Sequence, residues 1–446
     1  MENQNQHHAA PTWAPQDPGY AEEVAAFNVA TTHTPDLVVG AESAADVAAA
    51  VRRAADQGWK VSVQATGHGA AVPVTSGLMI TTSRMNGVAI DPASGTATVG
   101  AGVTWGAVVA AAAEHGLAPI AGAAPTVGVV GLLLGGGLGP LARSHGFATD
   151  YVDGFTVVTG TGEVVTADRV NRPDLFWALR GGRFGLGVVT EVRLRLVELA
   201  SLYGGNLLYE GPHIETALRA WADYTTTADD RVSTSAAITR FPNLPVVPEA
   251  TRGRTLLSLR FAFPGDASEG ERLAAPLRSA APVYLDRLGV LKAADIAQIH
   301  NDPTRPGPSQ VYGNLLSDID QDLIALFLAS FGPYADTPFT VAELRHLGVA
   351  TQRDVEDGSA VAGRSADFTC GLVGVRQELF DEAMPAAAAD WTKVAEPWFA
   401  SENNPNFMGL PATAERLAAV WPREIGERLE VVRKRYDPLG LFAAIV

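Results

Sequence analysis

Between residues 36 and 63 the pattern of apolar and polar positions predicts strand, helix, strand. The apolar run DLVVG comes first, then SAADVAAAVRRAADQG with Ala and Val at helical spacing, then WKVSVQ. Ser43 stands at an N-cap position with Asp46 three residues on, and Gly58 stands where that helix should stop. GLMITTSRM and the alternating GVAIDPASGTATVGAG predict further strands, turning at DPASG, and TWGAVVAAAAEHG predicts a second Ala-rich helix. GFTVVTGTGEVVTAD then predicts a hairpin, PDLFWALRGG a short helix opened by Pro173, and GVVTEVRLRLVEL a long alternating strand. These elements form a first unit, residues 1–197.

From 198 to 400 the pattern changes. TLLSLRFAF, FTVAELRHLGVAT and SADFTCGLVGV alternate like strands, while ALRAWADYT and QDLIALFLASFG carry helical spacing. This predicts a second unit, an antiparallel sheet covered on one side by helices. The segment 401–446 contains AERLAAVWPREIGERLEVVRKRYDP, read as one helix stopped at Asp437-Pro438. The fold class is therefore α+β, and 446 residues exceed what one ordinary core holds.

Charge narrows the partners. A net charge of −16 repels nucleic acid and anionic membrane surfaces, leaving a small molecule as the expected partner. The single cysteine, Cys370, excludes an intrachain disulfide, and with no Cys/His cluster no metal site is expected. The polar N-terminus MENQNQHHAAPTWAPQDPGY does not read as a secretory signal, so a cytoplasmic location is expected. The apolar run 119–142 is interrupted by repeated glycines and by Pro119, Pro125 and Pro140, which argues for loop rather than membrane span.

Two glycine-rich stretches carry the candidate chemistry. VSVQATGHGAAVP, residues 61–73, places His68 between Gly67 and Gly69. Such a histidine either bonds a carbonyl in an ordinary loop or is presented to a ligand. APTVGVVGLLLGGGLG, residues 124–139, is either a structural turn or a run of accessible backbone amides suited to a pyrophosphate. Two such loops in one α/β region are placed to converge on an extended phosphate-bearing ligand.

Taken in order, VSVQATGHG, VGAGVTWGAVV, PTVGVVGLLLGGGLGPLARSHGFATDYV, NRPDLFWALRGG, FGLGVVTEV and RKRYDPLGLF resemble the berberine bridge enzyme-like FAD-linked oxidases. These belong to the vanillyl-alcohol oxidase and p-cresol methylhydroxylase (PCMH-type) superfamily. The resemblance implies a two-subdomain FAD-binding domain, a substrate domain, and a C-terminal segment returning to the first. It implies FAD joined to the chain through His68 alone, because Ala124 stands where many relatives carry a second, cysteine anchor. Thr66, Gly67 and Gly69 would cradle the pyrophosphate. Gly122, Thr126, Gly128, Gly131, Gly135, Gly136, Gly137 and Gly139 would close around the cofactor, Val127 would stand beside the flavin where oxygen enters, Val189 would meet the adenine end, and Asn406 matches a cofactor-side asparagine. The chain departs from the family at Gln64, Ala65 and Thr66, where an Arg and more glycines are usual. It departs again at 183–186, where Arg183, Phe184, Gly185 and Leu186 replace further glycines and an Asn-Phe pair.

The resemblance further implies hydride transfer from a small organic substrate to flavin N5, with O2 as reoxidant giving H2O2, in bacterial secondary metabolism, by a monomer or homodimer. Glu343 matches a carboxylate that projects over the flavin; buried and with a raised pKa it would accept the substrate proton. Its alternative is a solvent-facing strand residue. Arg345 and His346 share that strand, His346 reading as structural. Tyr312 is a second catalytic candidate, with core packing as the alternative. Asn404 replaces a tyrosine of the family, so no phenol is expected there. The competing functions are a cyclisation or rearrangement without net oxidation, and a non-catalytic binding protein.

Overall fold

A computed structural model describes residues 10–442. Residues 1–9 of the N-terminal stretch, and 443–446 of the C-terminal segment, lie outside the described residues.

The first sheet has four strands, with Leu37–Gly40 and Val61–Gln64 both running parallel to Leu78–Thr81 between them. Parallel neighbours need a crossover, and the helix Ala44–Gln57 supplies it. The Ser43 hydroxyl accepts the Asp46 amide at 3.2 Å, and Gly58 ends the helix at φ 66°. Val47, Val51 and Ala54 bury the helix against Leu78 and Ile80.

The second sheet is antiparallel, in the order Val88–Asp91, Thr96–Gly100, Val188–Arg195, Val152–Val158 and Val164–Asp168. The helices Trp105–Ala113 and Pro173–Leu179 pack on it through Trp105, Val108, Phe176 and Trp177.

The third sheet spans the middle of the chain. Its order is Leu285–Asp286, Ser201–Glu210, Thr255–Phe263, Ser233–Arg240, Val341–His346, Phe368–Gly374 and Gln310–Leu316, all antiparallel, with Gly289–Lys292 also paired to Ser201–Glu210. One face carries Ala236, Ile238, Leu257, Leu259, Ala342 and Leu344. It packs under helices Gly211–Thr225, Gln321–Phe331 and Ala383–Ala395 around Trp221, Phe327, Phe331 and Trp391. Cys370 is buried there with its thiol pushed up to about 12 by burial, which makes it inert. The other face turns toward the first two sheets. Arg143 crosses between the units, donating to the Leu347 and Asp229 carbonyls at 2.8 Å.

The expected single C-terminal helix is two, Ala414–Ala418 and Arg423–Tyr436. Pro422 explains the break, because its ring disfavours helical backbone at the preceding residue and it donates no hydrogen bond. Leu429 and Val432 of the second helix pack in the core of the second sheet, and the Val61 amide donates to the Leu441 carbonyl at 2.8 Å. The chain end thus closes onto the strand that leads to His68. Among the described residues no helix is long and apolar enough to cross a membrane.

The glycine loop is packed so closely that a Cβ on Gly139 would lie 1.8 Å from the Ala121 carbonyl oxygen, whereas one on helical Gly426 meets nothing within 4 Å. Gly139→Ala should therefore lower the unfolding free energy by about 3 kcal/mol. Gly426→Ala should raise it by up to about 1 kcal/mol. Equal effects in unfolding followed by circular dichroism would contradict this packing.

Candidate active site

The strand Val61–Gln64 ends in a turn that Gly67 makes at φ 69°. A Cβ there would sit 2.6 Å from the Ala26 Cα, so glycine is demanded twice, by conformation and by space. The 26–28 segment is laced to this turn. Phe27 N–H donates to the Thr66 carbonyl at 2.9 Å, and Asn28 N–H to that of Gly67 at 3.3 Å. The buried Asn28 side chain donates to the carbonyls of Ala70 and Ser309, both at 2.9 Å, tying the turn to the substrate unit.

His68 is held between two contacts. Its ring stacks on Phe27 with centroids 3.6 Å apart and 16° between planes, and Nε2 lies 2.9 Å from the Thr126 hydroxyl. Burial lowers its pKa to about 4, and the Thr126 contact offsets this only in part, so the imidazole is neutral at pH 7. The tautomer in which Nε2–H donates to Thr126 leaves a lone pair on Nδ1.

Thr126 belongs to the second glycine loop. Trp105 N–H donates to the Val127 carbonyl at 3.0 Å and Gly106 N–H to that of Pro125 at 2.8 Å, pinning this loop over the start of helix Trp105–Ala113. Where Gly128 lacks a side chain, Ala65 and Thr66 approach to 3.4 and 3.7 Å, so the two loops touch. Gly131 is exposed, with nothing within 4 Å of its missing Cβ. Val127 is half-buried and packs on the core around Trp105.

The remaining glycines of the run serve the protein's own packing. Gly122 faces Leu132, Gly135 faces the Asn406 amide, and Gly136 and Gly137 adopt φ of 99° and 82°. The Gly135 and Gly136 amides donate to the Leu132 and Leu133 carbonyls. Val189 is buried in the second sheet opposite Val157. Asn406 donates to the Leu132 carbonyl at 2.8 Å and accepts from Arg183 at 2.6 Å. Asn404, in the family's tyrosine position, is fully buried and ties its own loop to the Ala362 carbonyl.

The third sheet offers a polar face to this region. Across it run Asn206, Arg260, Ser235, Arg345 and Thr369 in one row and Ser258, Ala237, Glu343, Gly371 and Gly313 in the next. Small residues flank Glu343, and a Cβ on Gly371 would meet nothing. Glu343 is buried rather than solvent-facing, with its side chain 12% exposed. Burial works to raise its pKa, but Arg345 at 2.7 Å and Arg260 outweigh burial and hold the carboxyl below its ordinary range. This corrects the expectation of a raised pKa: two cations keep Glu343 ionised and a poor proton acceptor.

Tyr312 is also corrected. It lies on the helix-covered face, edge-on to Phe339 at 5.8 Å, with its hydroxyl 3.0 Å from the Gln310 side-chain oxygen. His346 is on that same face, stacked on Phe368. Sequence reasoning missed Arg260, His300, Asp302 and Arg183. His300 Nδ1 lies 3.8 Å from Glu343 and its pKa is driven well down, by burial and then by the neighbouring Arg260 and Arg345. Burial, aided by Glu343, pushes the Asp302 carboxyl up against the opposing pull of the same arginines. No periodicity marks these four, and of them only Arg260 lies on a strand. A cavity of about 30 Å³, room for roughly one water, separates Leu138, Gly139 and Pro140 from Ser235, Arg260, His300 and Arg345.

Residues 35–168 match the family model described as an FAD binding domain. (R)-6-hydroxynicotine oxidase of Paenarthrobacter nicotinovorans is 40% identical over 187 residues, 42% of this chain and 41% of that protein. The match thus spans less than half the length of this curated relative. The crystal structure of 6-hydroxy-D-nicotine oxidase from Arthrobacter nicotinovorans superposes with a TM-score of 0.81 at 25% identity, covering 97% of this chain and 96% of that one. The chain thus carries an FAD-binding domain and, along its length, the fold of an oxidase of the PCMH-type FAD-binding superfamily. The same fold appears in glucooligosaccharide oxidase of Acremonium strictum, described with a 6-S-cysteinyl, 8α-N1-histidyl FAD, at TM-score 0.82 and 20% identity over 98% and 96% of the two chains. The loops suit an FAD: open backbone at Gly131, side-chain-free approach at Gly128, and a cation, Arg183, beside Gly69.

Two outcomes follow. In flavin-free protein the His68 imidazole resonances should titrate near pH 4, as burial dictates, and Phe27→Ala should move the midpoint toward about 6.5. An ordinary midpoint before mutation would contradict the desolvated stack. Glu343→Gln should lower stability by about 3 kcal/mol, because two buried guanidinium groups lose their counter-ion. An unchanged thermal midpoint would show that the arginines are solvated.

Proposed function

We propose that the protein is an FAD-dependent oxidase of a small organic molecule, with FAD tethered through His68 and the substrate resting on the sheet face beside Glu343. The observation that supports this reading is the meeting of the two glycine loops at His68 and Thr126, where Arg183 reaches from Asn406 to the edge of Gly69, bordered by that polar face. Arg345 links the two, its guanidinium lying 5.3 Å from the Phe407 ring next to Asn406. Bound there, FAD would supply the hydride acceptor, with O2 and a proton taking the two electrons on as H2O2.

The protein's own residues prepare this chemistry. The His68 imidazole, kept neutral by burial, has a nucleophilic lone pair on Nδ1 that would bond the flavin's 8α carbon as that carbon loses a proton, the two electrons left on the flavin passing to O2. Ala124 offers no thiol, so His68 is the single anchor. Glu343 organises Arg260 and Arg345 and fixes the orientation of a polar substrate. Asp302, whose carboxyl is pushed up by burial, is better matched than Glu343 to accept a proton.

The purified protein should be yellow and keep its flavin in the acid-precipitated pellet, while His68→Ala should release it to the supernatant. Fully extractable wild-type flavin would contradict the tether. After anaerobic reduction with one equivalent of dithionite, admission of air should reoxidise the flavin faster than free reduced FAD, with one peroxide per flavin. Reoxidation slower than that of free reduced FAD would point away from an oxidase.

A further inference from the structure

Arg183 is a half-buried cation that makes no ion pair among the described residues. Its Nη1 donates to the neutral oxygens of Asn406, at 2.6 Å, and Pro405. Nη2 makes no hydrogen bond among the described residues, and it lies 3.5 Å from where a Cβ on Gly69 would stand, at the edge of the turn that carries His68. Burial brings its pKa down to about 10, with no carboxylate opposing, so the group remains charged at pH 7.

The side chain is held in this position. The Phe184 ring lies 4.8 Å from the guanidinium, and Arg433 clamps the segment by donating to the Gly182 and Phe184 carbonyls, both at 2.9 Å. Arg183 adopts φ 59°, which costs a non-glycine residue about 1 kcal/mol. Glycines stand at 181, 182, 185 and 187, yet the chain keeps an arginine here. The turn itself has no cation: Gln64, where the family resemblance expects an arginine nearby, donates to the Val24 and Ala25 carbonyls, and His68 is neutral. A partly desolvated charge whose only acceptors are neutral is stabilised by an anionic ligand.

We infer that Arg183 is the anion-binding residue of the cofactor site, its free Nη2 edge pairing with a negatively charged group of FAD. That group is either the diphosphate or the flavin ring when reduced. The assignment rests on the FAD reading above, and moves the site's positive charge from the His68 loop to the 183–186 segment.

The test uses the full chain. In a His68→Ala background, where flavin exchanges, Arg183→Leu should weaken FAD binding at least about tenfold, the effect of one charge-assisted hydrogen bond. Arg183→Lys should recover most of it. In the tethered protein the flavin midpoint potential is measured by dye equilibration. Weaker binding with an unchanged potential assigns the diphosphate, and a lowered potential assigns the reduced ring; either supports the inference. FAD affinity and potential both unchanged in Arg183→Leu would overturn it. Should that variant not fold, Arg183→Gln against Arg183→Lys gives the same comparison. Wild-type protein that neither carries nor binds flavin would refute the FAD reading itself, and Arg183's role with it.

Discussion

Everything at the site depends on two stretches of nearly bare backbone touching without filling the space between them. Gly67 and Gly128 permit the approach, since a side chain on the first would strike Ala26 and the second already meets Ala65 and Thr66. The Phe27 ring and the Thr126 hydroxyl then fix the one bulky side chain admitted, His68, at its face and at its Nε2 edge. Bare backbone must be held from outside. The 26–28 segment, the Trp105 and Gly106 amides, and the chain end paired to Val61 do this. Residues far apart in sequence thus share one constraint, to keep an imidazole desolvated and neutral beside an open cradle.

The second half of the site obeys a different rule. One face of the substrate sheet is committed to an aromatic core, so every residue of opposite parity is delivered to the face turned toward the first unit. Glu343, Arg345, Arg260 and Ser235 arrive there by register alone. In that confined setting charge balance decides roles: two arginines on one carboxylate outweigh burial and keep it ionised. Asp302, with the same neighbours and no recorded ion pair at contact distance, moves the other way.

Much of the fold was legible because local signals agreed with it. Ser43, Asp46 and Gly58 delimit a helix the structure bears out, and TLLSLRFAF spans the observed strand Thr255–Phe263. Strands Ser201–Glu210 and Ser233–Arg240 were not, because Gly204-Gly205 interrupts the first and STSAAITR has small or polar residues where alternation would show. Of the site, His68 and Thr126 stood out through glycine context and family resemblance. Arg183, Arg260 and Asp302 did not, since charge on a loop or strand says nothing about which face or partner it meets. Tyr312 failed for the same reason, one residue of parity placing it in the core.

The central claim is that His68, neutral and with its Nδ1 lone pair uncommitted when Nε2–H donates to Thr126, is the chain's single flavin anchor. Mass spectrometry of a proteolytic digest of the purified protein addresses it directly. The account predicts one flavin-bearing peptide, containing His68, with fragmentation placing the flavin on that residue. Flavin on any other residue, or every peptide containing His68 at its unmodified mass while the protein is yellow, would contradict it.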